Sequence, residues 1–300
     1  MSLADANRKY FDTMSDLYDR KPWFAKVNQR VTDELRSRLD WLGVPLVNTG
    51  SSSDVQEARL LDYACGTGLM SRLYGPYVTT TLGIDVSPNM VATYNARAQA
   101  TGLTTSTITG VIGDLFATPQ PGEFSGPEYY NFDLATVGFG FHHFEDVIHA
   151  ASCLRERLRP GGVLVITEFL EGGDLALDEN GNPLPDTAGG HDHHGHGHHH
   201  GHDHDHDHGH GHHHPDPAQA DGPHTPTLHK NKNSALVSPQ FTIEEIKKFF
   251  AEAGFVDLDV VVMDEKVYME FAGRKMWRTV LFAKGRRPME DEVKGDNSEL

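Results

Sequence analysis

Four short clusters between residues 62 and 143 combine side chains and backbone able to hold a nucleotide-like ligand or move a proton. The first, Leu61-Asp62-Tyr63-Ala64-Cys65-Gly66-Thr67-Gly68, sets two glycines close together behind an apolar run. Without a Cβ the backbone turns tightly and approaches a bound group, so Gly66 and Gly68 suit a cofactor loop or a purely structural turn. About twenty residues on, the spacing used by nucleotide-binding α/β folds, Asp85 ends a second apolar run. Its carboxylate can accept hydrogen bonds from ribose hydroxyls, or it can cap and solvate a strand end. Gly113-Asp114-Leu115 offers a carboxylate for a nucleobase amino group with Leu115 or Phe116 beside the ring, a solvent-facing carboxylate being the alternative. Finally, Gly138-Phe139-Gly140-Phe141-His142-His143-Phe144 joins flexible backbone, aromatic surface and two imidazoles. A neutral imidazole takes a proton near pH 7, which makes His142 and His143 candidate acid–base groups toward a hydroxyl, thiol or amine. Structural hydrogen bonding is the plainer role for both.

These clusters need a frame that brings them together. Residues 58–64, 80–86, 132–139 and 163–169 read as strands and 111–116 as a strand end, with helical periodicity over 68–77, 89–103 and 145–158 between them. Strands divided by helices predict a parallel sheet covered on both faces. Right-handed crossovers would then align the strand C-terminal ends on one rim, where such folds bind ligands. Ahead of this core, Val27, Val31, Leu35, Leu39 and Leu42 recur three or four apart and predict a helix with one buried stripe. The aromatics Tyr10, Phe11, Tyr18, Trp23 and Phe24 before or within it are expected to pack on the domain, and Gly43, Pro45 and residues 48–53 to form a linker. Late in the chain, residues 241–250 read as a helix capped by Thr242 or Ser238 and left through Gly254. Strands over 255–264 and near 277–284 would then make an antiparallel edge, before a charged tail leaves the core.

In their order along the chain these segments resemble the class I S-adenosylmethionine-dependent methyltransferases. The likeness extends to the turn Leu158-Arg159-Pro160-Gly161-Gly162 before the fifth strand and to a late helix ending in Gly254-Phe255, and covers residues 58–170 and 238–285. It implies a Rossmann-like α/β fold with a mostly parallel seven-stranded sheet and an antiparallel C-terminal edge, and S-adenosyl-L-methionine as cofactor. By position it assigns Asp62, Ala64, Gly66 and Gly68 to the methionine side of the cofactor, Asp85 to its ribose, Asp114 and Leu115 to its adenine, and Gly138 to the motif after the fourth strand. Tyr18 resembles an N-terminal aromatic that closes the site, although a core or hydrogen-bonding tyrosine fits as well. Ala64 stands where the family often has glycine. Cys65 is expected to contribute backbone and packing, because methyl transfer needs no covalent enzyme intermediate. The nearest subgroup is the small-molecule methyltransferases that include quinone-biosynthesis enzymes.

Other chemistries lack their motifs. The chain has no full GxGxxG, no GxxxxGK phosphate loop, no HExxH and no GxSxG. With only Cys65 and Cys153, reduced thiols are expected rather than a disulfide framework. A net charge of -17 opposes extended contact with phosphate backbones, so no nucleic acid is expected as partner. No stretch approaches the roughly 20 apolar residues that cross a bilayer and no secretory leader is evident, which leads us to expect a soluble protein of the cytoplasm, or of cytoplasm and nucleus.

The expected organisation is an N-terminal helical cap and linker (1–57), the cofactor-binding core (58–170), an insertion (171–237), the completion of the core (238–285) and a charged tail (286–300). Within the insertion, fifteen of the twenty-four residues from 191 to 214 are histidine, interleaved mainly with glycine and aspartate. Too little apolar side chain is present there to fix one conformation, so a mobile lid, partner arm or dispensable loop is expected. Interchangeable imidazoles suit weak divalent-metal binding and specify no catalytic metal site. The functional expectation is methyl transfer to a small-molecule O, N, S or C nucleophile. The alternatives are a protein methyltransferase and a cofactor-binding regulatory subunit with little turnover; a homodimer is compatible, though no heptad pattern supports it. Protonation of the histidine tract against Asp192, Asp203, Asp205 and Asp207 predicts a change in hydrodynamic radius or partner binding between roughly pH 5.5 and 7.5. Flat sedimentation and binding profiles across that interval would count against it.

Overall fold

The structure is a computed structural model that describes residues 3–18, 21–49, 57–102, 104, 107–178, 182, 184, 240–271 and 274–295. The histidine-rich tract, and every expectation attached to it, lies outside the described residues. Two helices, α1 (Leu3–Tyr18) and α2 (Pro22–Arg36), precede the core. There follow β1 (Arg59–Tyr63), α3 (Leu69–Tyr74), β2 (Thr80–Asp85), α4 (Pro88–Ala100), β3 (Ile108–Ile112), β4 (Phe132–Gly138), α5 (Val147–Arg157), β5 (Leu158–Phe169) and β6 (Leu175–Ala176). After the insertion come α6 (Ile243–Glu252), β7 (Val256–Val262), β8 (Val267–Phe271), β9 (Arg274–Arg278), β10 (Val280–Arg286) and α7 (Glu290–Gly295).

Seven strands form the main sheet in the order β3-β2-β1-β4-β5-β10-β7. The β1, β2, β3, β4 and β5 pairings are parallel, with Leu61 beside Leu82 on one side and Ala135 on the other. β10 enters antiparallel between β5 and β7. The sheet is thus mostly parallel with an antiparallel C-terminal edge, as the sequence led us to expect, and the last strand lies inside that edge rather than on it. Successive side chains in a strand leave opposite faces. Leu61, Ala135, Val137, Leu164 and Ile166 therefore pack on Leu154 of α5 and Ile246, Phe249 and Phe250 of α6. Their neighbours Leu60, Leu134, Val163 and Val165 pack on Val27, Val31 and Leu35 of α2 and Met70 and Leu73 of α3. Burial on both faces explains why β4 is buried without a break from Phe132 to Val137.

Several boundaries differ from expectation: β3 ends at Ile112, so most of 111–116 lies beyond it, and β5 begins at Leu158, where a turn over Leu158–Gly162 was expected. The single helix read from Val27 to Leu42 is α2, begun by Pro22 at its first turn, followed by a short 3-10 turn over Leu39–Leu42 that ends at Gly43 with φ 70°. The aromatic preface is itself helical. The expected strand near 277–284 divides at Thr279: Trp277 and Arg278 end β9, which pairs with β8 and β6 in a second, three-stranded antiparallel sheet, and Val280 begins β10. Charged Arg274, Lys275 and Glu270 on that hairpin dilute the apolar signal that would have shown it. The tail is also held to the core, since Arg286 pairs with both Asp257 at 2.6 Å and Glu292 at 2.9 Å. Among the described residues no helix is long and apolar enough to cross a membrane.

Of the two candidate caps for α6, Thr242 is the one used: its hydroxyl accepts the Glu245 N–H at 3.1 Å, and the Glu245 carboxylate accepts the Thr242 N–H at 2.9 Å. Gly254 leaves the helix with φ 80°. Thr242→Ala removes an acceptor for an otherwise unpaired helix N–H and is expected to lower unfolding free energy by about 1 kcal/mol. A urea midpoint unchanged from the parent protein would contradict this role for the cap.

Candidate functional site

A cleft opens at the C-terminal ends of β1, β2 and β4 and is covered by α1 and α2. The loop after β1 makes its floor. Ala64 and Gly66 both line it and both take left-handed backbone, with φ 51° and 50°. For alanine that conformation costs about 1 to 2 kcal/mol relative to the ordinary helical region, so the missing glycine at position 64 is tolerated at the expense of local strain. The end of β4 makes a second wall through Gly138, Phe139, Gly140, His143 and Phe144, with Phe139 also at positive φ. From the helices above, Phe11 of α1 and Phe24 of α2 complete an aromatic enclosure.

Asp85 joins the two halves of the floor. It is 8% exposed, and its carboxylate accepts the Gly66 N–H at 2.8 Å and the Ser87 N–H at 2.9 Å, one on each oxygen. Burial pushes its pKa up while those two amides pull it down. Each oxygen keeps a second lone pair, so a ligand in the cleft can still donate to it.

Ala64, Gly66, Asp85, Gly138 and His143 are thus brought together around one cleft, whereas Asp62, Gly68, Asp114, Leu115 and His142 do not line it. Asp62 is 1% exposed and turns toward α3, where it accepts the Ser71 N–H at 2.9 Å and the Ser71 hydroxyl at 2.6 Å. It fastens the loop to the helix and is no part of the cleft wall. Gly68 lies behind the wall too, with φ 89° and the Tyr94 ring 3.0 Å from where a Cβ would stand, so only glycine fits this entry into α3. Asp114 accepts from the Tyr63 hydroxyl at 3.2 Å and the Phe116 N–H at 2.9 Å; it braces a wall residue from outside. Leu115 is buried in the core and does not reach the cleft. Tyr18 ends α1, and its side chain lies outside the described residues. Cys65 lines the cleft, but burial raises its thiol well above its ordinary pKa, with Asp85 and Asp62 adding to the rise. That leaves it unsuited to nucleophilic work.

The paired histidines separate in environment. His143 lines the cleft, packs edge-on against Phe11 with ring centres 5.1 Å apart, and has its carbonyl held by the Asn7 amide at 3.1 Å. Burial first, and then His142 beside it, lowers its pKa to about 2. That environment favours the neutral imidazole, the form that can accept a proton. His142 does not line the cleft. Its Nδ1 lies 2.8 Å from an oxygen of Glu168, a carboxylate at the end of β5 with no exposed surface.

Sequence reasoning overlooked Glu168 and Asn28. The first had a signal, a lone acid in the apolar run Val163-Leu164-Val165-Ile166-Thr167-Glu168-Phe169. The second had none beyond its place one turn after Phe24. Asn28 lines the cleft, and its buried side-chain oxygen has no hydrogen-bond partner among the described residues. A buried acceptor left without a donor is costly, and a ligand's N–H or O–H would relieve it.

A mostly parallel sheet with a cleft across adjacent strand ends defines a Rossmann-like α/β protein. Residues 45–260 match the family model described as a methyltransferase domain, and the chain belongs to that family, the class I S-adenosylmethionine-dependent methyltransferases. It is 32% identical to an uncharacterised methyltransferase of Schizosaccharomyces pombe over 42% of this chain and 43% of that one. It is 37% identical to the demethylmenaquinone methyltransferase of Thermus thermophilus over 37% of this chain and 47% of that one. The chain therefore spans about half the length of these curated relatives. Among solved structures, it resembles a phosphoethanolamine N-methyltransferase of Haemonchus contortus in complex with phosphomonomethylethanolamine and S-adenosylhomocysteine, with a TM-score of 0.51, 14% identity, and coverage of 96% of this chain and 61% of that one. At that identity the likeness is one of fold.

Burial also raises the Asp62 pKa to about 7, against the opposing pull of its bonds to Ser71 and Thr136. Because the folded pKa lies above the unfolded value near 3.8, the folded state holds the extra proton, and Asp62 costs stability progressively as pH rises from 4 to 7. Asp62→Asn, which cannot ionise, is expected to lose this slope. Parallel unfolding curves for the two proteins at pH 4 and pH 7 would show that the carboxyl ionises normally.

Proposed function

We propose that the chain is an enzyme that transfers a methyl group from S-adenosyl-L-methionine to a small, largely apolar acceptor of the quinone type, leaving S-adenosylhomocysteine. The observation that carries this reading is the pairing of Asp85 with the unpartnered Asn28 oxygen across one aromatic cleft. Asp85 has lone pairs for the ribose hydroxyls, and Asn28 offers an acceptor for an amino group, so the residues present fit the cofactor. When bound, S-adenosylmethionine supplies an electrophilic methyl group on a sulfonium. The chain's own part is to hold donor and acceptor in line and keep water out. Phe11, Phe24, Phe139 and Phe144 do the second, and their ring faces suit a cationic sulfur.

Support for the acceptor class comes from the same walls. An anionic metabolite would lose its hydration there with no cation among the described lining residues to compensate it, whereas a flat ring finds stacking partners. The likeness to a demethylmenaquinone methyltransferase points the same way, within the part of that protein the chain matches.

Isotopically labelled S-adenosylmethionine supplied with a metabolite extract, and separately with a protein extract, is expected to label an apolar low-mass compound. Label found in polypeptide alone would replace the small-molecule reading. Loss of a charge-assisted hydrogen bond costs about 1.5 to 3 kcal/mol, so Asp85→Asn should weaken S-adenosylhomocysteine binding roughly 10- to 100-fold by calorimetry. Equal affinity in the two proteins would remove Asp85 from the cofactor site.

A further inference from the structure

The two helices over the cleft are held there by different means. α2 buries Val27, Val31 and Leu35 completely, and burial of an aliphatic stripe is what fixes a helix on a sheet. In α1 none of the side chains described from Ala4 to Thr13 is fully buried. Even so, Asn7 and Phe11 of α1 are part of the cleft lining. A helix that crosses a ligand space with so little buried surface depends on its contacts at the rim.

Those contacts form two clasps on opposite walls. On the turn after β4, the Asn7 amide donates to the His143 carbonyl at 3.1 Å, and Phe11 packs edge-on against the His143 ring. At the entry to α4, one carboxylate oxygen of Asp12 accepts the Ser87 hydroxyl at 2.6 Å and the Asn89 N–H at 3.3 Å, and the Asp12 carbonyl accepts the Asn89 side-chain amide at 2.9 Å. From residue 7 to residue 12 the helix rises roughly 7.5 Å, enough to bridge the walls.

The second clasp is built into the ribose-side acid. Ser87 gives its N–H to Asp85 at 2.9 Å, and its hydroxyl oxygen accepts the Met90 N–H at 3.2 Å as the cap of α4. The hydroxyl hydrogen is left for Asp12, so clasp and cap do not compete. A carboxylate at the N-terminus of α4 is also favoured by the unpaired N–H groups there. Against this, Asp12 adds to the rise in the Asp85 pKa, so closure sets two carboxylates near one another. The strap is thus held by a charged hydrogen bond and opposed by like charge, a balance that lets it open without unfolding the core.

We propose that Asp12 is a positioning residue for the methyl-transfer enzyme: by clasping Ser87 and Asn89 it keeps α1 shut, with Asn7 and Phe11 as the roof of the cleft, and its release sets how fast S-adenosylmethionine enters and S-adenosylhomocysteine leaves. This rests on the methyltransferase reading above and adds the gate to it. Asp12 is not in the cleft lining and its clasp partners are groups of the chain itself, so it offers the ligand no differential contact and acts on exchange rates more than on affinity.

Stopped-flow fluorescence of the full chain with S-adenosylhomocysteine tests this. In Asp12→Ala, association and release are both expected to quicken about 10-fold, the lower end for loss of a charge-assisted hydrogen bond because the site is only half-buried, while Kd by calorimetry stays within about threefold. Asp12→Asn keeps an acceptor oxygen and should recover part of the slow exchange. A side chain that merely packs would instead weaken binding through release alone. Hydrogen exchange without ligand supplies a second readout: amides of α1 are expected to exchange faster in Asp12→Ala, with β1 and β4 unchanged. Unaltered exchange of α1, or a rise in release with no rise in association, overturns the clasp. Failure of the parent protein to bind S-adenosylhomocysteine overturns the proposed function instead.

Discussion

A carboxylate taken out of water must be met by donors, and Asp85 is met by the backbone of two different loops. Its bonds to the Gly66 and Ser87 amides pin the glycine loop after β1 to the end of β2. That cross-tie, with the Cys65 N–H bond to the Ile84 carbonyl, helps hold Ala64 and Gly66 in the left-handed conformations that shape the cleft floor. The parallel register of β1 and β2, which sets Tyr63 beside Ile84, brings the two loops within reach of one side chain. The cleft is in this sense a consequence of strand register, and the acid is where register becomes a binding surface.

Two further acids serve the same architecture by different routes. Asp62 turns away from the cleft to hold Ser71 at the first turns of α3, and Asp114 steadies the hydroxyl of Tyr63 from behind the wall. Side chains that a family pattern groups as cofactor ligands thus divide into one that faces the ligand space and others that keep the first in place. Glu168 does for the turn after β4 what Asp85 does for the loop after β1. It collects backbone N–H groups from a segment with little regular structure of its own and gives it one conformation.

The helices before the core complete the site rather than merely capping it. α2 carries Phe24 and Asn28 on its cleft-facing side and Val27, Val31 and Leu35 on the side packed against the sheet. One amphipathic helix is therefore both core and wall, and its position is set by the burial of the aliphatic stripe. The aromatic enclosure with Phe11, Phe139 and Phe144 follows from where that stripe must sit.

Alternating apolar runs and helical periods were enough to identify β1, β2, β4, β5, α3 to α6 and their parallel arrangement, and of β3 only its end, because each signal lies within a few turns of chain and needs no partner to be read. The glycines after β1 and the acids at strand ends were legible for the same reason. What the sequence could not carry was direction. Whether Asp62, Gly68, Asp114 or Leu115 faces the cleft depends on the path of a loop and on neighbours far along the chain, and all four turned elsewhere. The contrast between His142 and His143 is of the same kind: adjacent residues of one type acquire different chemistry because β5 delivers Glu168 to the first and α1 lays Phe11 on the second. Local pattern determined which elements form and in what order. Tertiary packing decided which side chains are desolvated and which are given a partner, since desolvation and pairing belong to surroundings that no short stretch of chain contains.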